Sequence, residues 1–420
     1  MIATLRQRDF SLLWFAGLIS ISGNWMLQIA LPVAVYTITG STLAVGGMLL
    51  ASTIPGILFG SLAGVFVDRW ERRRTLVITN LLLALSILPL LFVHSASELW
   101  IVYAVSFIQS TLGQFFTPAE NAMLPLLSDP KLLVSANALN ALNNNLARLA
   151  GPALGGLIAG AFGLGGVVVF DVLTYVIAAV LAALISVTSH PAKADEQTSF
   201  SLRKIMVEWL DGMRLIWRSQ VVRSLFIFNI LPAIGESVMF VLFVPFVTKI
   251  LHGDSLHVGG IMSAQAVGGI IGGVVISWAA SRFKTYRLLG FSAIIFGFID
   301  LALFNYSTFF SGIIFAYAFM ILVGPVAVAI GASYNTLLQS HVNTAYQGRV
   351  FGALNLTFSV CMLVGIAVAS YSADRIGIVP VINVQGYVYI VAGIIALILL
   401  REKPISQTMI TPEYASADTP

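Results

Sequence analysis

The sequence predicts an all-α integral membrane protein whose twelve transmembrane helices form two pseudo-symmetric six-helix bundles. Three observations carry this. Of 420 residues, 58% are hydrophobic and 10% charged, and the mean hydropathy is +0.94. A soluble chain of that length keeps enough surface to demand many more charges. Twelve apolar runs are each long enough to cross about 30 Å of hydrocarbon as a helix. Finally, the chain repeats itself at half its length.

In order, the runs lie at about 10–36, 43–67, 75–94, 99–123, 135–162, 165–187, 222–248, 256–280, 287–305, 309–337, 347–372 and 380–400. Six fall in each half. The repeat is plainest between Gly40-Ser-Thr-Leu-Ala-Val-Gly-Gly47 and Gly253-Asp-Ser-Leu-His-Val-Gly-Gly260, 213 positions apart. At that offset Pro32 meets Pro245, Gly56 meets Gly269, Gly60 meets Gly273 and Arg69 meets Arg282. One residue further, Asn121 and Gly151 recur as Asn335 and Gly365. An even number of spans per repeat makes the halves enter the membrane in the same direction. Such parallel repeats enclose a site at their interface in transporters.

Charge sets the orientation. Nineteen of the 22 lysines and arginines fall on one side, against Lys249 and Arg375 on the other and Arg148 inside a span. The positive-inside rule then places both termini in the cytoplasm of a multi-pass protein of the cell (inner) membrane. The pI near 9.2 reflects this topology and contact with anionic lipid, with nucleic-acid binding a poor explanation. The first apolar run is too long for a cleavable signal. Cys361 is the only cysteine, which excludes an intramolecular disulfide.

Four segments are expected: an N-terminal bundle over 1–188, a cytoplasmic linker over 189–220, a C-terminal bundle over 221–403 and a mobile tail over 404–420. Within the linker, Leu202, Ile205, Met206, Trp209, Leu210, Met213 and Ile216 recur at helical spacing. The plain reading is an amphipathic helix at the cytoplasmic interface, and the alternative is a regulatory or partner-binding helix. Small residues four apart let helices pack closely in the second, fifth, eighth and eleventh spans. Gly60/Gly64 and, on either side of Pro152, Gly151/Gly155 with Gly156/Gly160 are the main cases in the first half.

The loop Gly60-Ser-Leu-Ala-Gly64-Val-Phe-Val-Asp68-Arg69-Trp-Glu-Arg72-Arg73-Arg74 resembles the signature loop of the major facilitator superfamily. Gly151-Pro152-Ala-Leu-Gly155-Gly156 is similar to the Gly-Pro…Gly-Gly element of its drug/proton antiporters. Pro118-Ala-Glu-Asn-Ala-Met-Leu-Pro125, Ala136-Asn137-Ala-Leu and Gln347-Gly348-Arg349-Val350-Phe351 resemble the branch of macrolide efflux proteins and enterobactin exporters. The resemblance implies the major facilitator fold and a gating latch, in which Asp68, surrounded by Arg69, Arg72 and Arg73, meets the start of span eleven at Arg349. The plain alternative for the loop is a positive-inside anchor. Three departures stand out: Glu71 replaces a common glycine, the fourth span has Gln109 and Gln114 in place of an embedded arginine, and the first span has Gly23-Asn24 where Gly-Asp is frequent.

Ionisable residues inside spans are expensive and so face protein or water. Glu120, Arg148, Asp171, Glu236 and Asp300 are the cases here. Glu236, near the middle of span seven and aligned with Asn24 at an offset of 212, is the expected proton-coupling group, followed by Asp300 and Asp171. The last two also read as structural pairs. Asn24, Gln28 and Gln109, with Trp25, Phe115, Phe116, Phe240 and Tyr334, are candidates for lining a pocket for an amphipathic substrate. Packing and lipid contact are the plain readings of the aromatics.

The expected function is therefore export of an amphipathic small molecule (drug, macrolide or siderophore-like) by proton antiport and alternating access. Solute uptake, uncoupled facilitation and a transport-inactive sensor or scaffold are the alternatives. No G-x-x-x-x-G-K-[ST] loop and no H-E-x-x-H occurs, which argues against a primary pump and a zinc enzyme. No cofactor or metal is expected. The expected partners are a small-molecule substrate, protons and lipid, with no nucleic acid, and the chain is expected to act as a monomer.

Overall fold

The structure is a computed structural model that describes residues 2–129, 132–187, 202–279 and 282–400. The tail over 404–420 and the first part of the linker, 189–201, lie outside the described residues. Backbone groups in hydrocarbon have no water to bond, so a spanning segment must satisfy them internally, and helices do so. The helices are α1 (Arg8–Thr39), α2 (Thr42–Arg69), α3 (Arg72–Ile87), α4 (Leu99–Leu127), α5 (Leu133–Ala183), α6 (Leu202–Arg218), α7 (Gln220–Pro245), α8 (Ser255–Ala279), α9 (Thr285–Asn305), α10 (Ile314–His341), α11 (Thr344–Ile376) and α12 (Ile378–Leu399).

Among the described residues, eleven helical segments are long and apolar enough to span a membrane. One of them, α5, holds two spans. Gly163, at φ 67° and ψ −168°, breaks the helical path between them, giving twelve. Its repeat partner Gly377 also has a positive φ, 96°, and separates α11 from α12. Glycine tolerates this backbone region and side chains resist it.

The repeated eight-residue motif has a local meaning. Gly40 ends α1 in the left-handed conformation, its N–H donating to the Tyr36 carbonyl at 2.7 Å. Ser41 then caps α2 by accepting from the Ala44 N–H at 3.4 Å. In the second copy Asp254 occupies the place of Ser41 and accepts from the His257 N–H at 3.0 Å. Both copies start a span with a side-chain cap.

Two compact units divide the chain. One comprises Met1–Ser199 with Val247–Ser263, the other Phe200–Phe246 with Ala264–Pro420. In the first, α1 packs along α5, α2 against α4, and α3 against both α4 and α5. In the second, α12 packs between α7 and α9, α9 against α10, and α11 against α7. The amphipathic α6 docks on α11: Gly212 sits against the Arg349 carbonyl and Ala353, and Trp209 Nε1 donates to Thr357 Oγ1 at 3.4 Å.

Close backbone approach explains much of this pairing. A β-carbon on Gly155 would lie 2.6 Å from Met26 Cα, and one on Gly151 would collide with Trp25. Gly60 makes only ordinary contact, 3.4 Å from Gln114 Oε1. The surroundings of Gly64 lie outside the described residues, and Gly348 and Gly352 meet nothing within 4 Å. The sequence reading missed a second glycine seam. Gly290 and Gly297 on α9 lie against Gly393 and Gly386 on α12, each seven residues apart. That seam draws Asp300 toward the polar residues of α12.

Candidate functional site

Each unit encloses a polar network inside its own bundle. In the second, the Tyr389 hydroxyl of α12 donates to Glu236 Oε1 of α7 at 2.7 Å. Phe296 of α9 holds the other side of the tyrosine ring, with centroids 4.2 Å apart. Gly235 leaves room for that ring and for Gln385, 3.3 and 3.4 Å from where a β-carbon would stand. Asp300 is buried at 2% exposure, has one carboxyl oxygen without a hydrogen-bond partner among the described residues, and interacts electrostatically with Glu236. Two acids and a phenol from three helices are thus within electrostatic reach of one another.

The first unit has a counterpart. Asp171 is fully buried and accepts from Thr174 Oγ1 at 3.1 Å. Gly23 of α1 lies hard against both groups. One turn on, the Tyr175 hydroxyl donates to Gln109 Oε1 at 3.3 Å, while Gln109 Nε2 donates to the Leu83 carbonyl at 2.9 Å and Ser86 Oγ at 2.7 Å. Gln109 is therefore committed to the bundle interior.

The two networks fall on one another in the repeat. At the offset that relates Gly151 to Gly365, Asp171 and Tyr175 coincide with Gln385 and Tyr389, and Ser86 coincides with Asp300. The tyrosine is kept while acid and neutral partner exchange places. Neither tyrosine was singled out from sequence, although the shared i, i+4 spacing at the repeat offset was there to be read.

A third buried acid, Glu120, sits at 7% exposure in the α1–α5 seam. A β-carbon on Gly17 would lie 2.5 Å from its carboxylate and 3.0 Å from Asn143 Nδ2. Asn143 itself donates to the Trp14 carbonyl at 2.9 Å.

The remaining candidates scatter. Asn24 and Gln28 form an exposed pair on α1, joined at 3.4 Å. Trp25 packs on Gly151. Phe115 stacks on Trp70 at 5.8 Å, and with Phe116 it packs on the buried core of the first unit. Phe240 is 46% exposed. Tyr334 stacks on Phe228 at 6.1 Å, its buried hydroxyl without a partner among the described residues.

The basic loop clamps its own unit. Arg72 donates to the Ala122 carbonyl at 3.1 Å and Arg73 to the Ile185 carbonyl at 2.6 Å, so guanidinium groups satisfy carbonyls toward the ends of two spans. Glu71, in the place of the usual glycine, pairs with Arg74 at 3.0 Å. The side chains of Asp68 and Arg69 lie outside the described residues, and Arg349 is exposed on the second unit.

The model described as Major Facilitator Superfamily matches residues 13–366. The chain belongs to this superfamily. Superfamily relatives include macrolide efflux protein A of Streptococcus pyogenes, 26% identical over 378 residues that cover 88% of this chain and 90% of the relative. The multidrug efflux pump Tap of Mycolicibacterium fortuitum is 25% identical over 402 residues, covering 93% and 95%. Among solved structures, a point mutant of the nucleoside transporter NupG superposes with a TM-score of 0.74 at 14% identity, covering 94% of this chain and 100% of that one, which shows the shared fold. The protein is thus a multi-pass membrane transporter for small molecules and not an enzyme.

Proposed function

We propose that this transporter exports an amphipathic small molecule from the cell by proton antiport, and that Glu236 is the coupling carboxylate. The reading rests on one observation above the others: a half-buried glutamate in the middle of α7 is held by the Tyr389 hydroxyl at 2.7 Å and shares its site with Asp300. A carboxylate in hydrocarbon is retained where it has work to do. Tyr389 can donate to the ionised carboxylate or accept from the protonated one, so the same contact serves both states of a cycle. Relatives named for macrolide and multidrug efflux support the direction and the amphipathic cargo.

In this scheme the substrate leaves as protons enter, the loop carrying Asp68 faces the cytoplasm with both termini, and Asp68 latches to Arg349 when that side is closed. The test is transport in proteoliposomes with an imposed pH gradient. Glu236→Gln abolishes uphill substrate movement and spares gradient-independent exchange. Full uphill transport by that variant places coupling elsewhere.

A further inference from the structure

The face of α5 that runs from Asn137 to Arg148 is polar through the first half of the span at about 135–162, and Arg148 stands near its middle. Asn137, Asn144, Asn145 and Arg148 are exposed and Asn140 half-exposed, and at 100° per residue all five fall on one side of the helix. The opposite side, with Ala136, Leu139, Asn143 and Ala147, is buried, and Asn143 bonds to α1. Among the described residues Arg148 has no ion pair and no hydrogen bond. A guanidinium in that position is tolerated only where it meets water or an anion.

The polar face ends at a wall. Just beyond Arg148 the first turns of α8, which cluster with this unit, lie directly on α5. Ser263 Oγ donates to the Leu149 carbonyl at 2.8 Å, Gly259 lies against the Pro152 carbonyl, and Gly156 lies against the Ser255 carbonyl. The contact is backbone on backbone, so no ligand fits between the two helices just beyond Arg148. An exposed asparagine-lined face therefore leads to an arginine that is unpaired among the described residues, where α8 meets α5.

We propose that Arg148 is an anion-docking residue for the transported molecule, so that the cargo class is an amphipathic acid. This rests on the export reading above and narrows its substrate. The guanidinium offers a planar pair of donors matched to a carboxylate. The asparagines extend the match. Asn137, Asn144 and Asn145 each donate Nδ2 to the carbonyl four residues back, at 3.0 Å, which leaves their Oδ1 atoms to accept. Hydroxyl or amide N–H groups beside the cargo's carboxylate would meet those acceptors, while its apolar part remains among the span's apolar side chains.

Two dyes built on one ring system separate the charge requirement from hydrophobicity: anionic carboxyfluorescein and cationic rhodamine 6G. Binding is read by fluorescence polarisation to the purified full chain in phosphatidylcholine nanodiscs, with no gradient. Carboxyfluorescein is expected to bind more tightly than rhodamine 6G. Arg148→Ala weakens it by roughly tenfold or more, as loss of a charged hydrogen bond does. Arg148→Lys restores part of the loss, Arg148→Glu reverses the dye preference, and thermal unfolding shows that all three variants fold. Equal binding of carboxyfluorescein by the wild type and a folded Arg148→Ala overturns the proposal. So does displacement of carboxyfluorescein from the wild type by phosphatidylglycerol in the disc, since the docked anion is then a lipid headgroup. Because binding needs no gradient, failure here leaves proton coupling standing. A wild type that binds carboxyfluorescein yet moves no cargo with a pH gradient loses the export reading and keeps the anion site.

Discussion

Tyr389 hydrogen-bonds Glu236 across the α7–α12 contact at 2.7 Å, and its repeat counterpart Tyr175 makes the same kind of bond, to Gln109. One half thus couples its tyrosine to an acid and the other to an amide. The acid of the first network, Asp171, lies one turn from its tyrosine and bonds Thr174 instead.

If that bond serves coupling, Tyr389→Phe lowers pH-driven transport by roughly tenfold while leaving the protein folded. Glu236→Ala and Tyr389→Phe combined are then non-additive in thermal stability, because each removes the same hydrogen bond. Additive losses of stability in the double mutant would break the link between the two residues.

Glycine substitutions sort by what lies opposite them. Gly23→Ala drives a methyl into Asp171 and Thr174 and is expected to cost about 1–3 kcal/mol. Gly348→Ala meets nothing within 4 Å and is expected to be neutral or stabilising by about 0.5–1 kcal/mol. Thermal unfolding in detergent distinguishes them, and equal midpoints would contradict the packing of α1 on α5.

The Asp254 cap of α8 gives a pH-dependent contribution outside the membrane spans. Partial burial acts to raise its pKa, but the His257 N–H and ring prevail and lower it below the ordinary carboxylate value. A carboxylate depressed on folding adds stability above its unfolded pKa and loses it as pH falls through the folded one. Asp254→Ala should therefore cost about 1 kcal/mol near neutrality and less in acid. A loss that stays constant down to pH 3 would rule out the charged cap.

The basic loop yields a topological test. In a Cys361→Ser background, Arg74→Cys should resist membrane-impermeant maleimide in intact cells and react after permeabilisation. Labelling of intact cells would reverse the orientation. Asp68→Asn, made separately, should slow turnover without changing substrate affinity, whereas an unchanged rate reduces Asp68 to an anchor.

Much of the architecture was legible in the residues. Apolar length gave the spans, the Gly40 and Gly253 motifs gave the repeat, and a glycine at 163 and at 377 marks each half's break before its last span. These are local or additive properties: a run either is long enough to cross hydrocarbon or is not, and a positive φ favours glycine over residues with a side chain. The charge of Glu236, Asp300, Asp171 and Arg148 also flagged them without a structure, because ionisable groups within spans are costly.

What tertiary structure alone decided is which of these groups meet. In a soluble helix the apolar stripe marks the buried face. In a membrane the lipid-facing and core-facing sides are equally apolar, so α1, α7 and α12 carry no such stripe to read. Asp300 and Glu236 stand 64 positions apart, and Tyr389 lies 153 beyond Glu236. Gly290, Gly297, Gly386 and Gly393 let α9, with Asp300, approach α12 backbone to backbone, and Gly235 leaves room on α7 for the Tyr389 ring, contacts set by shape and not by hydropathy. Arg148 shows the same division: its charge was visible in the sequence, but its place at the end of an open polar face depends on where α8 closes over α5.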